Sequence, residues 1–276
     1  MYQPRKRDRT TSIPHVAALL DNSKNVVVLV GAGISRSCGI PDFRSDNGIY
    51  QLVQQMDLGL PQPECIFDIS YFLDDPVPFY KFAHVLYAKG DIEPSPTHFF
   101  LAKLEQLKKL RRVYTQNLDE LEHKAGVTKV LNCHGILSQF QCIDCKLKSG
   151  HEEVKEAIDS CSVPLCRNLT KKDIVCGGTL RPMMTFFGEK INNRIQKQLA
   201  RDCANADLLL VIGTSLQVSP MSGMPSMVPE RTPTVLINQN SLSINFDYEL
   251  VGSSDEICAD LFNHLRNKKN RNKNSS

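Results

Sequence analysis

The chain has 276 residues, of which 41% are apolar, a size that suits one large domain or a large domain carrying a smaller insert. Its net charge is +3, but residues 1–10 contribute +3 and residues 266–276 contribute +5, which leaves −5 for the body between them. An acidic body with basic ends argues against nucleic-acid binding by the folded surface. The longest apolar run, VVVLVGAGI from Val26 to Ile34, is too short to span a bilayer, so no membrane partner is expected.

The basic start is not followed by a long apolar core and a small-residue cleavage site, so the chain reads as nuclear or cytoplasmic rather than secreted. The polar, basic ends at residues 1–12 and 266–276 read as disordered tails. The first predicted strand, KNVVVLV, feeds a glycine turn in GAGISRSCGIPDFRS. Gly31 and Gly33 would let the backbone turn tightly and approach a pyrophosphate at a helix N-terminus, although the acidic residue expected about 20 positions on is absent. In the following PDFRS, Asp42, Phe43 and Arg44 form a proline-led loop with an aromatic ring for stacking and a cation for phosphate or ribose.

THFFLAKLEQLKKL reads as an amphipathic helix before a second strand in LRRVYTQNLDEL. NNRIQKQLARDCANA is a further helix, then NADLLLVIGTSL and TPTVLINQN give two more strands. Apolar runs without polar alternation suit strands covered on both faces, and strands alternating with helices predict a doubly wound, Rossmann-like α/β parallel sheet. Ligands in such sheets sit beyond the carboxyl ends of the strands, where this chain places Gly31, Gln116, Gly213 and Asn238.

Residues 138–180 break the alternation, with five cysteines and little apolar content. They are expected to form a small zinc-binding insert between the two parts, 13–137 and 181–265, of a discontinuous nucleotide-binding domain. Cys142 and Cys145 form a C-x-x-C pair, and Cys176, before a Gly-Gly turn, completes a third ligand position. Cys166 is preferred over Cys161 for the fourth. A closed site of four thiolates is structural, and metal would supply the free energy that so poor a core lacks. His134 lies eight residues before Cys142, outside ligand spacing, so it is available for other work.

Taken in order, GAGISRSCGIPDFRS, YTQNLDELE, NCHG, the cysteine clusters, FFGE, GTSLQVSP and LINQN resemble the sirtuins, NAD-dependent protein deacylases. The resemblance runs from about Ser23 to Leu265, and PECIFDISYF is similar to the eukaryotic deacetylase branch. It implies NAD as cosubstrate and one structural Zn2+, with acyl-lysine proteins, histones among them, as substrates bound between a Rossmann-like domain and a zinc ribbon. It places Gly31, Ala32, Gly33, Ser35, Asp42, Phe43, Arg44, Gln116, Gly213, Thr214, Ser215, Asn238, Gln239 and Ser254 along the cofactor. It makes Asn117 and Asp119 organisers of the nicotinamide and its ribose. It gives Val218, Phe187, Gly188 and Glu189 to the substrate peptide.

Family chemistry of this kind lets nicotinamide leave as the acyl-lysine oxygen attacks the ribose; a base must then take a proton from the ribose hydroxyl. The resemblance gives that task to His134, whose ordinary pKa of about 6.5 suits it at neutral pH. The chain departs from the family at Glu120, where glycine is usual, at Thr185, at Ser253 and Ser254, and in the longer Cys166–Cys176 stretch. Glutamate at 120 is expected to adopt ordinary backbone angles and to point outward from a helix start. Mono-ADP-ribosyl transfer and NAD or ADP-ribose sensing are the alternatives to deacetylation. The stretch after Arg44 offers Ile49, Tyr50, Leu52 and Met56 and no cation, so an apolar acyl tunnel is expected.

Overall fold

The computed structural model describes residues 9–87, 90–169 and 171–273. In chain order the elements are α1 (Arg9–Asn22), β1 (Val26–Val30), a 3-10 turn (Ala32–Cys38), α2 (Ile49–Gln55), α3 (Ile69–Asp74), α4 (Val77–Tyr87) and α5 (Pro96–Gln106). Then come β2 (Leu110–Thr115), α6 (Leu121–Lys124), β3 (Val130–Asn132), β4 (Gly135–Cys142), β5 (Lys148–Gly150), α7 (His151–Asp159) and β6 (Leu180–Met184). The chain continues with α8 (Asn193–Ala204), β7 (Leu208–Ile212), β8 (Thr234–Asn238), β9 (Tyr248–Val251) and α9 (Ser254–Lys273). Helix α9 therefore carries backbone order through residues 266–273, read from sequence as part of a tail. Residues 1–8 and 274–276 of the two expected tails lie outside the described residues.

The chain divides into two compact units. The first comprises the described residues of Met1–Ile40, Glu93–Cys133 and Asn192–Ser276. It holds a parallel sheet in the order β3-β2-β1-β7-β8-β9. The order reverses at the β1–β7 pair, as in a Rossmann-like sheet, and the turns after these two strands carry Gly31 and Gly213. β1 and β7 are buried throughout, because alternate residues feed two cores. Val26, Val28, Val30, Leu208, Leu210 and Ile212 pack on one face. Val27, Leu29, Leu209 and Val211 pack on the other.

The second unit comprises Pro41–Ile92 and His134–Ile191. It takes in the 41–92 segment that the sequence reading placed with the sheet, and it begins at His134 rather than at residue 138. Its small antiparallel sheet has the order β5-β4-β6. An aromatic cluster ties the helices of 41–92 to the rest: Phe72 and Phe79 pack on Phe186 with ring centres 4.9 and 5.4 Å apart. The Tyr80 hydroxyl donates to the Leu180 carbonyl.

Candidate nucleotide and metal sites

In the first unit, the glycine turn after β1 is shaped by its neighbour β7. A Cβ on Gly31 would sit 2.7 Å from Thr214 Cβ, and one on Gly33 would sit 2.7 Å from Gly213 Cα. The amides are also engaged: Gly31 N–H donates to the Ile212 carbonyl (3.1 Å) and Gly33 N–H to the Gly213 carbonyl (2.8 Å). Close packing of the two turns, rather than approach to a phosphate alone, is what requires glycine here. The turn continues as a 3-10 helix, not the α-helix N-terminus expected, and ends at Gly39 with φ 85°.

Around this turn a connected set of polar side chains gathers. Ser35 Oγ donates to Asp119 Oδ2 (2.8 Å), and Asn117 Nδ2 donates to Ser35 Oγ and to the Gly31 carbonyl (3.3 Å each). Asp119 Oδ1 accepts from Leu121 N–H at 3.0 Å. Burial raises the Asp119 carboxyl despite the Leu121 and Ser35 donors, and the negative charge of Glu120 adds to the rise. Thr214 Oγ1 donates to Gln116 Oε1 at 2.7 Å and accepts from Leu216 N–H at 3.2 Å. Ala32, Gln116 and Asn238 are partly exposed, while Ser215 and Gln239 are exposed. Ser254 opens α9. The turn, Asn117, Asp119 and the Gln116–Thr214 pair are thus brought together in one unit.

Glu120 departs from its expected backbone. It occupies the left-handed region, φ 59° and ψ 18°, as the residue preceding α6, so the loop keeps the shape a glycine would give it.

In the second unit, Asp42 Oδ1 accepts from the Arg44 and Ser45 amides (3.0 and 2.8 Å), which makes the PDFRS loop a local turn. The Phe43 ring packs against Tyr50 and Phe67. Arg44 is exposed, its guanidinium 5.8 Å from the Tyr50 ring centre. His134 is half-buried, and its carbonyl accepts from Thr185 N–H at 2.7 Å. The next residue must be glycine: Gly135 has φ 78°, and a Cβ there would lie 2.1 Å from the Met183 carbonyl oxygen. Phe187 is exposed, yet its backbone bonds both to Phe67 and to Ile69. Glu189 is engaged in a bidentate pair with Arg181 at 2.6 and 2.7 Å and accepts from Phe186 N–H. Burial opposes ionisation of Glu189, but these donors outweigh it and hold the carboxyl below its ordinary range. Its side chain is thus committed to this loop rather than displayed to a peptide.

The sulfurs of Cys142, Cys145, Cys166 and Cys176 all lie within 4.8 Å of one another. Cys142–Cys176 and Cys145–Cys166 are 3.7 and 3.6 Å apart. Four thiolates at about 2.3 Å from a tetrahedral zinc lie roughly 3.8 Å from each other, so this set fits such an ion and closes its coordination. Cys161, in the turn after α7, is outside the set. Gly178 is required beside it, since a Cβ would fall 2.8 Å from Cys142 Sγ. The Leu147 N–H helps hold the Cys145 thiol down at about 7.

Sequence reasoning missed the residues behind Asn117. Thr115, Glu122 and His98 are buried and form the support described below. The one visible signal was a threonine after the apolar Val113 and Tyr114 at the end of β2.

A family model described as the Sir2 family matches residues 31–220. The NAD-dependent deacetylase sir2D of Dictyostelium discoideum is 40% identical over 255 residues, which is 91% of this chain and 46% of that protein. The NAD-dependent histone deacetylase sirtuin-1 of Drosophila melanogaster is 39% identical over 286 residues, covering 96% of this chain and 35% of that protein. The chain thus spans less than half the length of these relatives. A solved Sir2 structure with a deacetylated p53 peptide and 3′-O-acetyl-ADP-ribose superposes with a TM-score of 0.80 at 30% identity, covering 91% of this chain and 97% of that one. By its sequence and by its fold, this chain belongs to the Sir2 family.

Proposed function

We propose that the chain is an NAD-dependent protein-lysine deacetylase, which moves the acyl group to ADP-ribose and releases nicotinamide. The observation that carries this reading is the Ser35–Asn117–Asp119 network at the reversal of the sheet, in a chain of the Sir2 family. NAD supplies a ribose carbon open to attack once nicotinamide leaves. Asn117 and Asp119 orient the nicotinamide and its ribose, and Gln116, Thr214, Ser215, Asn238, Gln239 and Ser254 line the rest of the dinucleotide. Asp42, Phe43 and Arg44 complete the cofactor loop. His134 takes the proton of the ribose hydroxyl, as a neutral imidazole does near pH 7. Cys142, Cys145, Cys166 and Cys176 hold one structural zinc.

The substrates are acyl-lysine proteins, histones among them, met in the nucleus or cytoplasm. Val218, Phe187 and Gly188 contact the peptide, with Glu189 shaping that loop through Arg181. Ile49 and Tyr50 are buried at the start of α2, an apolar lining that suits acetyl and longer fatty acyl chains over acidic ones. No helix among the described residues is long and apolar enough to cross a membrane. Mono-ADP-ribosyl transfer is not preferred, because the loop at Glu120 keeps a glycine-like backbone.

Incubation with NAD and an acetyl-lysine peptide should give nicotinamide, deacetylated peptide and acetyl-ADP-ribose by mass spectrometry. His134→Ala should lower turnover by about 10²–10⁴-fold. Near wild-type turnover in that variant would remove His134 from the mechanism. ADP-ribosylated protein without deacetylated peptide would favour the transferase.

A further inference from the structure

Behind the Asn117 loop, in the first unit, lies a second set of polar groups sealed from solvent. Thr115 ends β2, His98 lies in the first turn of α5, and Glu122 lies in α6; none of the three is measurably exposed. Asn117 N–H donates to Thr115 Oγ1 at 3.1 Å, and Thr115 Oγ1 donates its own hydrogen to Glu122 Oε1 at 2.6 Å. The threonine hydroxyl thus links the Asn117 backbone to a buried carboxyl. One oxygen or nitrogen from each of His98, Asp119 and Glu122 lies within 4.8 Å of the other two.

His98 is set by its own helix start. Ser95 N–H donates to His98 Nδ1 at 3.1 Å, so the neutral ring carries its hydrogen on Nε2. Burial lowers the pKa of this ring to about 4, which keeps it neutral. His98 Nε2 and Glu122 Oε2 are both fully buried and have no hydrogen-bond partner among the described residues. Ser95 Oγ also donates to the Ile34 carbonyl at 2.9 Å, joining this helix start to the glycine turn.

We propose that Thr115 and Glu122, backed by His98, are positioning residues that hold the Asn117 backbone in place for cleavage of the nicotinamide bond. The proposal rests on the deacetylase reading for its chemistry. Asn117 is held from two sides. Its side chain faces Ser35 and the Gly31 carbonyl, and its backbone is drawn back onto Thr115. Without the backbone tie, the amide would still have a partner at Ser35 but no fixed origin. Reacting groups lose rate steeply when misplaced by about 1 Å. The buried Asn117–Thr115–Glu122 hydrogen bonds supply rigidity behind the loop.

The test uses Thr115→Val and Thr115→Ser in the full chain. Valine matches threonine in shape and suits a buried strand, so the fold should survive; serine keeps the hydroxyl. In Thr115→Val, kcat for nicotinamide release should fall at least 10-fold with KM for NAD changed less than threefold. The Asn117 amide should exchange hydrogen at least 10-fold faster by nuclear magnetic resonance, while the amides of β1 and β7 stay unchanged. Thr115→Ser should stay within about threefold of wild type in both readouts. Wild-type turnover or wild-type exchange in Thr115→Val would overturn the proposal. So would equal losses in Thr115→Ser, which would show shape rather than the hydroxyl to matter. If the wild-type protein releases no nicotinamide, the deacetylase reading fails on its own, and the exchange measurement alone decides whether Thr115 holds Asn117.

Discussion

Two residues with left-handed backbones differ in what a side chain costs them. Glu120 sits at φ 59° without glycine, and a non-glycine residue there bears about 1–2 kcal/mol of strain. Glycine would relieve the strain but widen the unfolded ensemble, so Glu120→Gly should stabilise by about 0.5–1 kcal/mol, a rise of roughly 1–4 °C in Tm. Because the loop already has the glycine shape, kcat/KM for NAD should move less than about threefold. A tenfold gain would show that the carboxylate restrains the enzyme. Gly135 has no such latitude, because a Cβ would strike the Met183 carbonyl at 2.1 Å. Gly135→Ala must part β4 from β6 next to His134, and should cost more than about 2 kcal/mol in denaturant unfolding together with most of the turnover. The expectation for Glu120 failed for a physical reason. Propensity ranks what a residue prefers, whereas the surrounding loop, anchored by the Asp119–Leu121 bond, dictated what it had to adopt.

Element by element, legibility followed burial. β1, β7 and β8 were readable because buried strands are written as apolar runs, and β2 read as a strand although it carries Arg111 and Arg112, both partly buried. β3 has three residues, all partly buried, and β9 is an edge strand paired only with β8 among the described strands, so neither carries such a run. The small sheet was invisible because β4 mixes Ser138 and Gln139, both exposed, with apolar positions. α6 is also short, four residues with the buried Glu122 among them. Burial pushes the Glu122 carboxyl up to about 7, and the Asp119 charge adds to the shift. A carboxyl raised on folding binds more protons in the native state between its unfolded and folded values. It therefore destabilises the protein as pH climbs from about 4.5 to about 7. Relative to Glu122→Gln, which cannot ionise, the wild type should lose up to about 3 kcal/mol across that interval. Thermal unfolding of both proteins at pH 4.5, 5.5, 6.5 and 7.5 reads this difference directly. A gap that stays constant with pH would mean that Glu122 is not held protonated.

At the scale of the whole molecule, Cys142 and Cys145 were readable from spacing and Cys166 was only preferred over Cys161, while the extent of their unit was not readable. Pro41–Ile92 joins that unit through Phe72, Phe79 and Tyr80, contacts that no local pattern announces, since its helices look like those of the sheet. The two units also differ in what sustains them. The sheet has apolar cores on both faces. The cysteine-bearing ribbon pairs Leu165 with Thr179 and Leu169 with Val175. Alternation therefore turns Leu165, Leu169 and Val175 to the face opposite Cys166 and Cys176, and all three are more than half exposed, at 55, 57 and 56%. Burial does not hold this ribbon; its order depends on the four sulfurs and the ion they fit. Removing metal with a strong chelator should thus act locally. Amide exchange in 142–148 and 163–180 should rise toward unfolded rates, while β1, β7 and β8 keep their protection. Cys142→Ser should reproduce the pattern without chelator, and metal analysis should find one zinc per chain in the untreated protein. Equal loss of protection across both units would show that the metal sustains the entire fold, and an unchanged ribbon would show that the sulfurs hold it without an ion.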